Sequence, residues 1–264
     1  PELIEKTFGS LDEFKSFLRS CKLEKVVSWF YDPGAFSAEE CTFGRNPINP
    51  SEHDGIVEAL IPFAKCLQAL DALYIVVRPM PSYWQVAPVT EDKIKAAADC
   101  WNKVGKMTKE YGIKVLMHID WLCAIHSEKD IDLILKYTDP ETVGLAIDTA
   151  EFTLAGIDPK AVYEKHHDRV QLFHFKDVQV VDSLEEYKTE NADMILNTGG
   201  QRKIERWFWE MGRPEGLVDF PALYKSIKAH NYSGWIIVES DQSPNPAESA
   251  MLNNWYIKNV LSKL

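Results

Sequence analysis

Short runs of apolar, β-branched residues recur along the chain, separated by stretches where apolar residues return every three or four positions. The runs cover residues 25–31, 72–77, 113–119, 143–147, 170–175 and 234–238. Continuous apolar runs of this length fit parallel strands covered on both faces. Between them, residues 54–70 put Ile56, Ala59, Leu60, Phe63, Ala64 and Leu67 on one helical face. Residues 90–110 repeat that spacing, with Thr90 as N-cap. Residues 127–137 follow with Ser127 as cap, and residues 158–165 with Pro159 at the first helical position. Residues 220–230 and 247–264 complete the helices, and residues 1–23 read as a loop and a helix.

Alternating strands and helices argue for an α/β fold with a parallel sheet. A doubly wound dinucleotide fold would want Gly-x-Gly-x-x-Gly after a strand, and the chain has none. The polar residues instead gather at the C-terminal ends of different strands, where barrel enzymes build their sites. The expectation is a TIM-type (β/α) barrel, one domain over residues 1–264. Six strands are visible, against eight in a closed barrel. One or two N-terminal strands are therefore expected upstream of this numbering. Residues 178–219 form a polar, Trp-rich segment too long for an ordinary connection, expected to cover the site. A second long loop, residues 32–53, is broken by Pro33, Gly34, Gly44, Pro47 and Pro50.

Composition narrows the function classes. Apolar residues at 45% and charged residues at 26% allow a core that needs no covalent staples. The net charge of −11 argues against nucleic acid and against an anionic membrane surface. A neutral small molecule, or one held through a cation, fits better. Cys21, Cys41, Cys66, Cys100 and Cys123 are odd in number and form no Cys-x-x-Cys pair, the usage of reduced thiols in a cytoplasmic protein. No apolar run approaches the roughly 18–20 residues of a membrane span, and no signal peptide is visible at the start, which is Pro1 rather than Met.

Four strand ends carry metal-capable side chains: His118 with Asp120, Asp148, His174 with Asp177, and Glu239 with Asp241. Oxygen and imidazole donors without thiolates suit manganese, cobalt, magnesium or zinc. Strand alternation puts the two members of each pair, His118 and Asp120, His174 and Lys176, and Glu239 and Asp241, on a shared face of their strand. Any one strand-end Asp could equally be a helix cap, and a buried His a hydrogen-bonded core residue. Four such positions on four strands are harder to read that way, because unpaired buried charge is costly.

Three motifs, in order, carry a resemblance. GLAIDTAEFTLAGIDP, residues 144–159, is similar to a Gly-Leu-x-x-Asp-Thr-Gly-His…Ala-Gly-x-Asp-Pro pattern of inosose dehydratases and their xylose-isomerase-like isomerase and epimerase relatives. HFKDV, residues 174–178, resembles their His-x-Lys-Asp strand end, and residues 216–244 resemble their C-terminal block. The resemblance covers residues 110–264 well and the first third loosely. It implies a TIM-type barrel with one divalent ion, manganese first, held by His118, Asp148, His174 and Glu239. It also implies proton abstraction next to a carbonyl, leading to isomerisation, epimerisation or elimination. Two departures stand at substrate-facing positions: Glu151 replaces the family's His in DTAE, and His-Ile-Asp at 118–120 replaces a cluster of histidines.

The expected function is a metal-dependent lyase acting on a keto-cyclitol or keto-sugar by β-elimination. The alternatives are eliminative cleavage of a 3-oxo-glycoside, O- or C-linked, sugar isomerisation or epimerisation, or a non-catalytic sugar-binding barrel. Glu239 and Glu151 are the candidate bases, with Asp120 third, and His118, His126 or Lys176 the proton donors. Lys176, Asp177, Arg213, Trp207, Trp209 and His126 are assigned to the substrate. The expected partner is that small molecule, with a homo-oligomer, or a hetero-oligomer with a small β-rich subunit, as the assembly. A multi-metal endonuclease of the same barrel type would need a basic face that this chain lacks, and a flavin or nicotinamide enzyme a glycine-rich phosphate loop.

Overall fold

In the computed structural model, which describes residues 1–23, 25–37 and 42–264, six parallel strands follow one another around a curled sheet. They are β1 (Ser28–Tyr31), β2 (Tyr74–Val77), β3 (Lys114–His118), β4 (Val143–Asp148), β5 (Val170–Phe175) and β6 (Trp235–Val238). Each pairs only with its sequence neighbours in the order β1-β2-β3-β4-β5-β6, the sequential right-handed winding of a TIM-type barrel. All six predicted strands are present: four are trimmed by one to three residues at an end, 170–175 keeps its bounds, and 143–147 extends by one to Asp148.

The four central strands are buried on both faces while β1 and β6, at the sheet edges, are partly exposed, and the alternation of side chains explains the core. Val76, Leu116, Ala146 and Leu172 form a small interior cluster, with Ile237 packed against it. Ile75, Val77, Val115, Met117, Leu145, Ile147, Phe173 and Phe175 point the other way, into the large cluster shared with the helices. One step of two residues beyond each interior residue lie Arg78, His118, Asp148, His174 and Glu239. The interior face therefore turns from apolar to ionisable at one level, the C-terminal end of the sheet.

The helices start where their caps require. Thr90 Oγ1 accepts the Lys93 N–H before helix Glu91–Lys109, and Ser127 Oγ accepts the Asp130 N–H before helix Glu128–Tyr137. Pro159 and Pro246 occupy first-turn positions of their helices. The opening stretch differs from its reading as a loop and a helix: it forms two helices, Glu2–Phe8 and Leu11–Ser20. Ser10 accepts the Glu13 N–H and donates to the Glu13 carboxylate, so a new helix begins directly after Gly9.

Residues 32–53 contain a two-strand antiparallel pair, Phe36–Ser37 with Thr42–Phe43, and a single 3-10 turn, Pro50–Glu52. Cys41 lies outside the described residues; the other four cysteines are free thiols. No described helix is long and apolar enough to cross a membrane.

The segment after β5 crosses the C-terminal end of the sheet. Asp177–Val178 pairs antiparallel with Phe208–Trp209, which ties the two legs of the segment together. Trp207, Phe208, Val178, Ala192 and Ile195 then build a second core with Trp121, Leu122, Ala150 and Leu154. Within it, the Asp182 carboxylate accepts from Trp121 Nε1, from the Glu186 and Tyr187 amides and from Arg202 Nη2.

Candidate functional site

Register brings the site residues together. His118 pairs with Ala146, two residues before Asp148 on the same face, and Asp148 pairs with His174. Glu239 follows β6, and its N–H donates to Phe175 O beside Lys176. Thr149 locks β4 to β5: its hydroxyl donates to Lys176 O at 2.6 Å, and it accepts the Lys176 N–H at 3.1 Å.

Asp148 is fully buried, and its two oxygens have different duties. Oδ1 accepts the N–H groups of Ala150 and Glu151, each at 3.0 Å, capping helix Thr149–Leu154. Oδ2 faces the barrel mouth, with His118 Nε2 at 3.3 Å, Lys176 Nζ at 3.1 Å and His174 Nδ1 at 3.6 Å. Glu239 divides itself likewise, Oε1 3.0 Å from His174 Nδ1 and Oε2 2.9 Å from Lys176 Nζ. Asp241 closes on the same ammonium at 2.6 Å, and Glu151 Oε1 stands 3.7 Å from it. The Phe208 ring covers Lys176 Nζ from the segment side, 4.3 Å to its centroid.

Charges in this packed group set one another's protonation. Burial pushes Asp148 up, but the Lys176 ammonium and the two imidazoles outweigh it and hold the carboxyl well below its ordinary range. Glu239 is lowered to about 2, against its burial, by His174 and Lys176. His174 is raised to about 9, again against burial, by Asp148 and Glu239. Lys176 stays charged because four carboxylates outweigh its desolvation. Glu151 goes the other way. Burial, with Asp148 and Asp120 adding to it, carries the carboxyl up to about 8 despite Lys176.

The donor set fits a divalent ion. One ligand atom each from His118, Asp148 and His174 lies within 4.8 Å of the others, near the roughly 3–4 Å between ligands of one ion with bonds of about 2.0–2.2 Å. Nδ1 of His174 is buried and makes no aligned hydrogen bond, although two carboxylates stand beside it. A buried imidazole nitrogen left this way wants a partner.

Residues 5–256 match the family described as the xylose isomerase-like TIM barrel. The chain belongs to that family. An inosose dehydratase of Clostridium beijerinckii is 33% identical over 171 residues, 64% of this chain and 55% of that protein. One of Lactiplantibacillus plantarum is 32% identical over 224 residues, 79% of this chain and 72% of that protein. Among solved structures, the IolI protein with a zinc atom has a TM-score of 0.68 at 14% identity, over 96% of this chain and 86% of that one. That likeness bears on the fold. The chain spans about half the length of the first curated relatives it matches.

This xylose isomerase-like barrel holds a cleft of about 190 Å³ lined by Phe30, Asp32, Arg78, Asp120, Trp121, Leu122, Glu151 and Leu196. His118 joins it to the metal-capable group, its ring edge-on to Phe30 at 5.6 Å. Arg78, absent from the sequence assignment, is the residue around which the cleft is organised. Its Nη2 donates to Asp120 Oδ1 at 3.1 Å, its Nε stands 2.9 Å from Asp120 Oδ2 as an ion pair, and it faces Asp32 at 3.4 Å and Asp193 at 3.5 Å. The signal was available: Arg78 is the next interior position after Val76, by the same step of two that marks His118 and Asp148.

Five residues assigned to the substrate have other occupations. Asp177 Oδ1 accepts the N–H groups of Val178, Leu217 and Val218, anchoring the covering segment. Trp207 is buried against Trp121, their ring centroids 5.1 Å apart. Trp209 is flanked by the guanidinium groups of Arg206 and Arg213, each 4.5 Å from its ring. Arg213 lines a separate groove with Glu210, Ser243 and Asn245. His126 stacks on Tyr187 at 3.5 Å, and burial lowers it to about 4, so it is a neutral packing ring. Lys176 is at the site but holds carboxylates.

Proposed function

We propose that this chain forms the catalytic barrel of a divalent-metal-dependent lyase that removes water from a keto-cyclitol or keto-sugar. The observation that carries the reading is the buried Asp148 Oδ2, faced by two imidazoles with Glu239 beside them. Support comes also from the inosose dehydratase relatives at 33% and 32% identity. His118, Asp148, His174 and Glu239 would hold the ion. When bound, it supplies Lewis acidity for the negative charge that develops next to a carbonyl.

The chain's own residues divide the proton work. Glu151, a carboxyl still protonated near neutrality, hands its proton to the departing hydroxyl, which leaves as water. Asp120, oriented by Arg78 in the same cleft, takes the proton from the carbon beside the ketone. The electron pair of that C–H bond becomes the new C=C bond as the C–O bond breaks. Lys176 keeps Glu239 ionised and holds Glu239 and Asp241 in place. Trp121, Leu122, Leu196 and Phe30 keep water off one side of the cleft.

A larger, aromatic aglycone has less in its favour, because Trp207 and Trp209 do not line the cleft. The test is direct. The chelated and dialysed protein is reloaded with manganese, cobalt, magnesium or zinc, its bound metal is measured, and keto-inositols are followed by mass spectrometry. One ion per chain and the loss of one water are expected, and both vanish in His174→Ala and Glu239→Ala. Metal-independent turnover, or turnover without a change of mass, overturns the reading.

A further inference from the structure

We propose that Asp193 latches the covering segment over the cleft and, through Ser82 and Arg78, fixes the orientation of Asp120. It is a positioning residue, and this half of the inference rests on the cleft being the site of reaction. Asp193 sits on the turn Ala192–Met194, far in sequence from any strand end. Its Oδ1 accepts the Ser82 hydroxyl at 2.5 Å, and its Oδ2 accepts Trp84 Nε1–H at 2.8 Å. Ser82 and Trp84 lie in the connection leaving β2.

The Ser82 hydroxyl has one proton and gives it to Asp193, so its oxygen is free to accept. It accepts from Arg78 Nη2 at 3.0 Å. The same Nη2 donates to Asp120 Oδ1 at 3.1 Å, and Nε stands 2.9 Å from Oδ2. Donor and acceptor roles therefore run without conflict from Asp193 through Ser82 and Arg78 to Asp120. Ser82 is fully buried and Arg78 nearly so, and hydrogen bonds to charged groups in such surroundings are strong and directional.

The tip of the segment has few other ties. Ala192 and Ile195 enter the second core, and Gln242 Nε2 donates to Leu196 O at 3.3 Å in an exposed contact. Asn191 (φ 58°) and Gly199 (φ 77°), both left-handed, bracket the tip, giving it sharp turns at each end. The next residue but two after Asp193 is Leu196, which forms one wall of the cleft. Seating Asp193 thus closes a wall and orients a carboxylate in one event.

The test is amide hydrogen exchange over residues 190–199, with bound metal and turnover measured in parallel. Asp193→Ala is expected to speed exchange of these amides by about tenfold or more, as loss of charged hydrogen bonds implies. Met194→Ala, an exposed neighbour on the same turn, leaves it unchanged. Coupling is reciprocal, so Asp120→Asn also speeds exchange at the tip, although Asp120 does not touch it in this network. In turnover, Asp193→Ala lowers kcat/KM by about tenfold with metal content intact. If Asp193→Ala fails to fold, the isosteric Asp193→Asn replaces it. Equal exchange in the wild type and the Asp193 variant, or no response to Asp120→Asn, overturns the proposal. Absence of turnover in the wild type refutes the lyase reading, while the exchange results still decide the latch.

Discussion

The backbone N–H of Trp121 donates to Glu151 Oε2 at 2.8 Å, so a residue following β3 fixes a carboxyl on the helix following β4. Glu151 is buried, its Oε1 turned toward Lys176 and its side chain in the cleft wall. Gln in its place keeps an oxygen for the Trp121 amide but cannot move a proton. Glu151→Gln is expected to lower kcat by about 10²–10⁴, the usual worth of a positioned acid or base, with KM and bound metal little changed. Steady-state kinetics check this. An unchanged kcat removes Glu151 from the chemistry.

The same residue leaves a mark on stability. Its carboxyl in the folded chain titrates at about 8, above the ordinary 4.5. The folded state therefore holds this proton more tightly than the unfolded chain does. The resulting stabilisation is fully present below the ordinary value and is lost as pH rises through about 8. In chelated protein, urea unfolding of the wild type should weaken across that window more steeply than that of Glu151→Gln. Parallel slopes for the two proteins contradict the buried, proton-holding carboxyl.

Lys176 supplies the positive charge that lets three other carboxylates share one buried space. Its Nζ lies within 3.1 Å of Asp148, Glu239 and Asp241. Lys176→Met keeps the length of the stem and leaves Asp148 and Glu239 with only the imidazoles as partners. Breaking a buried pair costs about 3–5 kcal/mol, and a loss of that order is expected in chelated protein by urea unfolding. Asp241, half-exposed at 49%, should matter much less: Asp241→Asn costs under about 1 kcal/mol because solvent screens the pair. A mild Lys176→Met would mean that the carboxylates are neutral in the folded chain.

What was legible in the sequence follows from period. The strands stood out as unbroken apolar runs, because the four central ones are buried on both faces and the two outer ones pack partly against the same clusters, and His118, Asp148, His174 and Glu239 fell at their ends. Arg78 obeys the same step of two after Val76 but was passed over, because a lone strand-end Arg reads as a surface cation until its carboxylates are in view. Those carboxylates, Asp32, Asp120 and Asp193, come from three separate parts of the chain. Asp193 carries no periodic signal, since the chain around it forms only short turns and a four-residue helix, Ile195–Thr198. Trp207 and Trp209 show a different case. An aromatic, polar insertion looks like a ligand surface, yet a long segment without regular structure must bury its own core, and Trp207 does that.

Asp177 shows how a carboxylate beside the site can serve the scaffold instead. Three N–H groups converge on its Oδ1, two of them from Leu217 and Val218 on the returning leg of the covering segment. Gly216 packs so closely that a Cβ there would stand 2.0 Å from Asp177 Oδ2. Removing the carboxylate takes the acceptor from the Val178 and Val218 N–H groups, while Leu217 N–H keeps Val178 O, and a buried donor left unpaired costs about 1–3 kcal/mol. Asp177→Ala is therefore expected to lower stability by about 2–4 kcal/mol, and Gly216→Ala should act in the same direction by pushing the carboxylate out of its nest. At temperatures where the variants remain folded, KM should stay near the wild-type value. A large rise in KM with undiminished stability would return Asp177 to the substrate.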